Sequence, residues 1–373
     1  MSSTPLRVGI VGSGGIAAQH AIGWNTYPQY AKIAALAEVD ADRANAFSLT
    51  HTNGEAQVFP SLEAMLEADA VDVVDICLPH HLHTDAVITA AKAGKAVLCE
   101  KPLCTTLDDA RKIKAVIDET GVPFMSGHNQ VFQPSLIEAR RLMASGVIGK
   151  TFLMRSIETF RNQAYDPFSY AQLPPSGPRG WRTDVKSAGG GELLDTGYHS
   201  TYRLLALAGE DRPVEVTGFL SRFHIADWPT EDTGQVTIRF ASGAVGEILT
   251  SWAFDVDGAR QFEVSGSLGA VGGGSTFVSH QLYGWPQAAR REIPGTHTFT
   301  AEIGQFIKVI REGASNPADA DMAIRVLQVI KAAYLSAKLG QTVALPEDPS
   351  ADPVPGKGEA TPFDVEVLDD VLL

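Results

Sequence analysis

The stretch VGIVGSGGIA, residues 8–17, constrains the fold more than any other part of the 373-residue chain. An apolar run ends abruptly in glycines, and a helix-forming run follows at once. Gly12, Gly14 and Ala17 stand in the G-x-G-x-x-[GA] spacing. The spacing alone is a weak signal. Between a strand and a helix, at the start of a βαβ unit, it has the context that gives it meaning. Gly12 permits the tight turn, Gly14 lets a pyrophosphate approach the main chain, and Ala17 lets helix and strand pack closely. The helix start, with Gly15 and Ile16, offers unpaired N–H groups and partial positive charge to an anion. The plain alternative is a glycine turn that holds nothing.

The surrounding rhythm supports the ligand-binding reading. The apolar runs LRVGIVG, KIAALAE, VDVVDICL, KAVLCE and VPFMSG alternate with amphipathic SLEAMLEA, TDAVITAAKAG and TLDDARKIKAVIDETG. The apolar runs suit strands covered on both faces, and the last two helical segments end in glycine. Strand and helix alternating this way predict a doubly wound parallel sheet of the Rossmann type.

After Ser126 the pattern changes. QPSLIEARRLMASG reads as a helix and KTFLMRSIETF as a strand. Residues 162–191 form a long segment rich in proline, glycine, serine and aromatics. LLDTGYHSTYRLLALAG is helical to Gly209. GQVTIRF sets Val236, Ile238 and Phe240 inward against Thr237 and Arg239, and ASG turns the chain into AVGEILTSWAF as an antiparallel hairpin. RQFEVSG is a further strand, and helices return at 299–313 and 319–338. The expected organisation is an α/β nucleotide-binding domain at 1–127, an α+β domain with an open, largely antiparallel sheet at 128–345, and an extended acidic, proline-rich tail at 346–373. The second domain is expected to bind substrate and support oligomerisation. The tail is expected to pack on the body or on a second subunit.

Composition narrows the partners. An apolar content of 44% and a charged content of 20% describe a globular chain. No run of 18 or more apolar residues occurs, so no membrane span is expected. The start lacks the pattern of a secretory leader, and the expected compartment is the cytoplasm. The formal net charge of −14 disfavours nucleic acid and anionic membranes. Cys77, Cys99 and Cys104 match no zinc spacing and read as small buried hydrophobes.

Two acids and a lysine then stand out. Glu38 ends the second strand about 20 residues past the loop, where the pattern expects an acid on the adenosine ribose. A carboxylate there accepts the 2′-hydroxyl and repels a 2′-phosphate, which favours NAD over NADP. Arg43 is near enough to serve a phosphate instead, and a solvated strand end is the simpler reading of Glu38. Glu100, Lys101 and Pro102 end the strand KAVLC, on the edge of such a sheet that faces the ligand. Lys101 there can bond a substrate hydroxyl and stabilise the oxyanion as hydride leaves. Pro102 fixes the backbone beyond it, in trans or in cis. Taken alone, Lys101 reads first as a surface lysine.

The run PHHLHTDAVITAAKAGKAVLCEKPLCTTLDDARKI resembles the Gfo/Idh/MocA family of dinucleotide-dependent sugar and polyol oxidoreductases. The resemblance extends to about Leu345. It includes the loop at 12–17, Glu-Lys-Pro at 100–102, GGGELLDTGYH at 189–199, SGSLGA at 265–270 and EIGQFIKVIREG at 302–313. It implies a catalytic Lys101, with Glu100 beside it at the cofactor. It also implies catalytic or substrate roles for Asp195 and His199. Four residues apart on a helix, these two project from one face. His199, titrating near neutrality, suits a base for a substrate hydroxyl, and Asp195 can orient it. Asp195 can also serve merely as a helix N-cap. The three preceding glycines suit close backbone approach to a ligand.

Pro79, His80 and His83 match the family's Pro-Asn-x-x-His, with His80 where asparagine is usual, and read as cofactor contacts. GHNQVFQP matches a segment in which Val131 replaces an arginine, and Asn129 remains as a cofactor or substrate contact. Arg161, Tyr165, Trp181 and Arg182 flank the long segment and suit a sugar or carboxylate substrate, or simply pack the loop. No metal is expected, and HHLH lacks the acid or cysteine to complete a site. The implied activity is NAD-dependent oxidation of a secondary hydroxyl on a sugar, inositol or related polyol, or the reverse. The alternatives are redox-neutral glycoside cleavage with recycled NAD, and a non-catalytic NAD-binding regulator. A homodimer or homotetramer is expected, because an open sheet face needs cover.

Overall fold

In the computed structural model, residues 4–161, 180–224, 229–256 and 260–358 are described. Two compact units result. The first gathers residues 1–133, 179–189 and 295–327, and the second 134–178, 190–294 and 328–373. This departs from the contiguous 1–127, 128–345 and 346–373 division. Late segments belong with the first unit because they pack there: the Tyr27 hydroxyl, for example, donates to the Thr300 carbonyl at 3.1 Å.

The first unit begins β1 (Leu6–Val11), α1 (Gly15–Asn25), β2 (Ala31–Ala37), α2 (Ala41–Thr52), β3 (Gln57–Phe59) and α3 (Leu62–Glu67). It continues β4 (Val73–Ile76), α4 (His83–Lys92), β5 (Ala96–Glu100), α5 (Leu107–Thr120) and β6 (Phe124–Gly127). The sheet order is β3-β2-β1-β4-β5-β6, with every pair parallel. The order reverses between β1 and β4, which opens a crevice at the carboxyl ends of the strands. All of β4 and β5 is buried, as strands covered on both faces must be. The helices stop where the sequence says they should. The Thr106 hydroxyl caps the start of α5 by accepting the Asp109 N–H, and Gly121 ends it in the left-handed region. The three cysteines are buried thiols.

The remaining elements are α6 (Pro134–Ala144), β7 (Thr151–Thr159), α7 (Val185–Ala188), α8 (Glu192–Asp195), α9 (Gly197–Ala208), β8 (Pro213–Ser221), β9 (Thr233–Phe240) and β10 (Val245–Ser251). They are followed by β11 (Phe262–Gly266), β12 (Gly269–Gly273), β13 (Phe277–Leu282), β14 (Ala289–Glu292), α10 (Thr298–Glu312), α11 (Ala320–Leu339), β15 (Val343–Ala344) and β16 (Val354–Pro355). Of these, α7 and α10 belong to the first unit. The second unit's sheet has ten strands, ordered β14-β13-β12-β11-β7-β10-β9-β8-β15-β16. Only β7 and β10 pair in parallel; the rest is antiparallel. Along β9, Val236, Ile238 and Phe240 are buried while Gln235, Thr237 and Arg239 are exposed, so helices cover one face and leave the other open. The proline-rich tail is tied to its own unit as far as β16, which pairs with β15 at the sheet edge. No helix among the described residues is long and apolar enough to cross a membrane.

Candidate active site

A cleft of about 820 Å³ lies in the first unit, at the carboxyl ends of its central strands. Its floor is the loop expected to bind a pyrophosphate. Gly12 adopts φ +87°, and a Cβ there would stand 2.7 Å from the Cys77 carbonyl oxygen, so this turn requires glycine. A Cβ on Gly14, by contrast, would meet no atom within 4 Å. Space is open where a ligand would approach the main chain. Gly15 and Ile16 also line the cleft.

Glu38 lines one wall and is only 8% exposed, so it is no solvated strand end. Its Oε2 accepts the Ser13 N–H at 3.0 Å and the Ser13 hydroxyl at 2.9 Å. Its Oε1 accepts the Asp40 N–H at 3.1 Å and the Arg43 guanidinium at 2.5 Å. Burial alone would raise its pKa, but the bonds from Arg43 and from the Ser13 and Asp40 main chain outweigh it and bring the group down to about 2. Glu38 is therefore an anion throughout the physiological range. Arg43 is committed to it rather than to a phosphate. Ser13, the unremarkable residue between the two glycines, was not legible as a partner of an acid 25 positions on.

Glu100 and Lys101 line the same cleft from the end of β5. Glu100 Oε2 accepts the Lys101 main-chain N–H at 2.9 Å, and the Lys101–Pro102 peptide bond is cis. Pro79 and His80 follow β4 into the cleft. His80 Nδ1 lies 3.0 Å from the Ala188 carbonyl oxygen, and its ring meets Trp181 edge-on at 4.3 Å. The Arg182 guanidinium covers the other part of that stack, 4.3 Å from the Trp181 ring centre. Trp181 and Arg182 thus line the glycine-loop cleft itself, not a separate substrate surface.

Two sequence-derived contacts are not among the cleft-lining residues. His83 is buried, with Nδ1 at 2.8 Å from the Pro102 carbonyl and Nε2 at 2.8 Å from the Leu78 carbonyl. Burial lowers its proton affinity. It ties the ends of β4 and β5 together. Asn129 donates to the Thr298 hydroxyl at 2.7 Å, joining α10 to the segment after β6. Tyr165 lies outside the described residues.

Asp195, His199 and Arg161 belong to the second unit. Arg161 is exposed, with Nη2 at 3.3 Å from His224 Nδ1. The expected single helix is two: α8 ends at Asp195 and α9 begins at Gly197. At the junction His199 N–H donates to the Thr196 carbonyl, a three-residue turn, and the Trp252 indole donates to the Thr196 hydroxyl at 2.8 Å. Thr196, not Asp195, occupies the N-cap of α9, and both Asp195 and His199 are half-buried.

The glycines before them serve the fold rather than a ligand. A Cβ on Gly190 would lie 2.5 Å from the Tyr334 hydroxyl, and one on Gly191 2.3 Å from the Glu231 carbonyl oxygen. The Tyr334 hydroxyl accepts the Gly191 N–H at 3.0 Å and donates to Glu231 Oε1 at 2.6 Å. That same oxygen accepts the Leu193 N–H at 3.1 Å, so one carboxyl anchors the start of α8.

Comparison with known proteins agrees with this architecture. Residues 6–128 match the model of an oxidoreductase family with an NAD-binding Rossmann fold, and residues 136–272 match the GFO/IDH/MocA C-terminal domain. The chain is 26% identical over 366 residues to D-glucoside 3-dehydrogenase of Escherichia coli strain K12, covering 92% of this chain and 99% of that one. It is 26% identical over 347 residues to D-xylose 1-dehydrogenase (NADP(+)) 2 of Haloferax volcanii, covering 91% of this chain and 100% of that one. Among solved structures, an oxidoreductase domain protein from Kribbella flavida superposes with a TM-score of 0.81 at 25% identity, over 92% of this chain and 100% of that one.

Proposed function

This chain belongs to the Gfo/Idh/MocA oxidoreductase family, and from that premise we propose that it moves hydride between NAD and a secondary hydroxyl, or the matching ketone, of a sugar, inositol or related polyol. One observation carries the reading: a glycine loop with open space at Gly14, an ionised Glu38 and Lys101 all line one cleft. The residues fit the dinucleotide. The loop and the start of α1 suit its pyrophosphate, and Glu38 its adenosine ribose. NAD is favoured over NADP because Glu38 is charged and Arg43 is already paired with it. Trp181 and Arg182 join the cofactor contacts in this reading.

Bound NAD supplies the hydride acceptor. Lys101 donates a hydrogen bond to the substrate hydroxyl oxygen and stabilises the negative charge that grows there. His199 is the base for the hydroxyl proton, with Asp195 its partner; both roles rest on the matched GGGELLDTGYH motif. The assembly is a homodimer or homotetramer closed over the open face of the ten-stranded sheet. A monomer mass by light scattering would remove that element.

The test is a panel of sugars, inositols, D-glucosides and D-xylose, followed at the NADH absorbance band with mass analysis of products. Net NADH supports the dehydrogenase; cleavage without net NADH points to recycled cofactor. Lys101→Ala is expected to lower turnover at least about a hundredfold with NAD affinity nearly intact. His199→Ala is expected to do the same and to abolish the acid-side loss in the pH profile. Wild-type turnover in Lys101→Ala would end the reading.

A further inference from the structure

Beneath the cleft lies a buried charge cluster that the proposed chemistry does not use. His20, on α1, is fully buried. Its Nδ1 lies 2.9 Å and 3.0 Å from the two Asp75 oxygens on β4, and its Nε2 lies 3.0 Å from Glu100 Oε1 on β5. Each carboxyl also faces another donor. Asp75 accepts the Trp24 indole N–H at 2.7 Å and the Cys77 thiol at 3.7 Å. Glu100 accepts the Lys101 N–H through its other oxygen. Donation from both ring nitrogens, to Asp75 and to Glu100, makes His20 an imidazolium. Burial opposes that charge, but the pull of Asp75 outweighs it and raises the ring's proton affinity well above the ordinary value.

The other group facing the ring comes from α10. Phe299 packs on His20 with ring centres 5.4 Å apart, and Glu302 is buried nearby with neither carboxyl oxygen hydrogen-bonded. Burial raises the Glu302 pKa well above the carboxylate range, so it adds no competing charge. His20, Asp75 and Cys77 could also be read as metal donors, since their ligand atoms lie within 4.8 Å of one another. The hydrogen bonds on both ring nitrogens leave no lone pair for an ion.

We propose that His20 is a positioning residue for Lys101: clamped by Asp75, it fixes the Glu100 carboxyl, and Glu100 holds the Lys101 main chain at the cleft. This rests on the catalytic reading of Lys101 for its functional weight, but the physical link can be tested without substrate. In His20→Gln, Glu100 loses its buried counter-charge, and burial then favours its protonated form. Its bond to the Lys101 N–H then weakens at low pH and returns as pH rises.

The experiment uses the full-length protein, isotope-labelled, by NMR. In the wild type, both His20 nitrogens are expected to carry protons at pH 8, with signals assigned by their loss in His20→Gln. The Lys101 amide is expected to be protected from hydrogen exchange about equally at pH 6 and pH 9, after correction for intrinsic rates. In His20→Gln that protection is expected to fall at least tenfold at pH 6 and recover at pH 9. In His20→Gln/Glu100→Gln the pH dependence of the Lys101 amide is expected to vanish, because the group that accepts its N–H no longer titrates. A neutral His20 ring at pH 8, or an unchanged Lys101 amide in His20→Gln, would overturn the proposal. Failure of the parent reading shows elsewhere, as full turnover in Lys101→Ala.

Discussion

Each unit buries carboxyl groups under residues assigned to chemistry, and the two neutralise that burial differently. In the first unit, Asp75 and Glu100 flank His20, a ring whose proton affinity is raised well above the ordinary value. In the second, the partners are hydroxyls and main chain: Thr250 donates to Glu192 Oε1 at 2.5 Å, and Tyr334 and the Leu193 N–H donate to Glu231. Burial drives the pKa of Glu192 well up and also raises that of Glu231. The second cluster thus holds acids whose proton affinity burial raises, where the first sets a basic ring between its acids. The contrast teaches that a buried acid can do opposite work. Beside a basic ring it can hold a main-chain segment at a cleft. Beside hydroxyls and main-chain N–H groups it braces a helix and a loop.

The glycines offer the sharpest way to break this comparison. Gly191→Ala drives a methyl into the Glu231 main chain and should destabilise the protein by about 1–3 kcal/mol, read by denaturant melts. Gly14→Ala should change stability by less than about 0.5 kcal/mol, since open space receives the methyl. It should nevertheless weaken NAD binding at least about tenfold, because the pyrophosphate needs that space. Equal stability losses would mean that both loops serve the fold alone.

The next effect is a pH dependence. Glu192 has a folded-state pKa above its unfolded one. Its contribution to stability is therefore greatest below the unfolded carboxyl pKa and declines as pH rises toward the folded value. Glu192→Gln, which keeps the shape and loses the proton, should flatten that decline in melting temperature. An unchanged slope would place the sensitivity elsewhere.

The smallest effect concerns the cofactor wall. Arg43 is half exposed, so Arg43→Ala should cost less than about 1 kcal/mol in stability. It should shift the NAD to NADP preference only modestly, because Glu38 retains its bonds from Ser13 and Asp40. A large swing would make Arg43 the deciding group.

Legibility divided along the same line. Five of the six strands of the first unit, its glycine loop, and the places of Glu38 and Lys101 at strand ends were readable, because a parallel sheet brings those ends to one edge. The three-residue β3, the glycine-rich β12 and the edge strands β13 and β14 were not, for they are short or carry little alternation. His83 misled for a different reason. A histidine at a helix start can face a ligand or its own main chain, and nothing local distinguishes the two. Gly190 and Gly191 misled likewise: glycine marks a close approach without naming what approaches.

What this chain's sequence determined alone was the longer, strongly patterned elements and the nucleotide cleft they imply, since periodicity, capping and turn chemistry act within a few residues. Tertiary structure alone decided which polar groups answer one another. His20 meets Asp75 and Glu100 across 55 and 80 positions, and Glu231 reaches Leu193 across 38. Such pairs depend on strand register and helix packing, which no local pattern records, and low-dielectric burial then sets their charge.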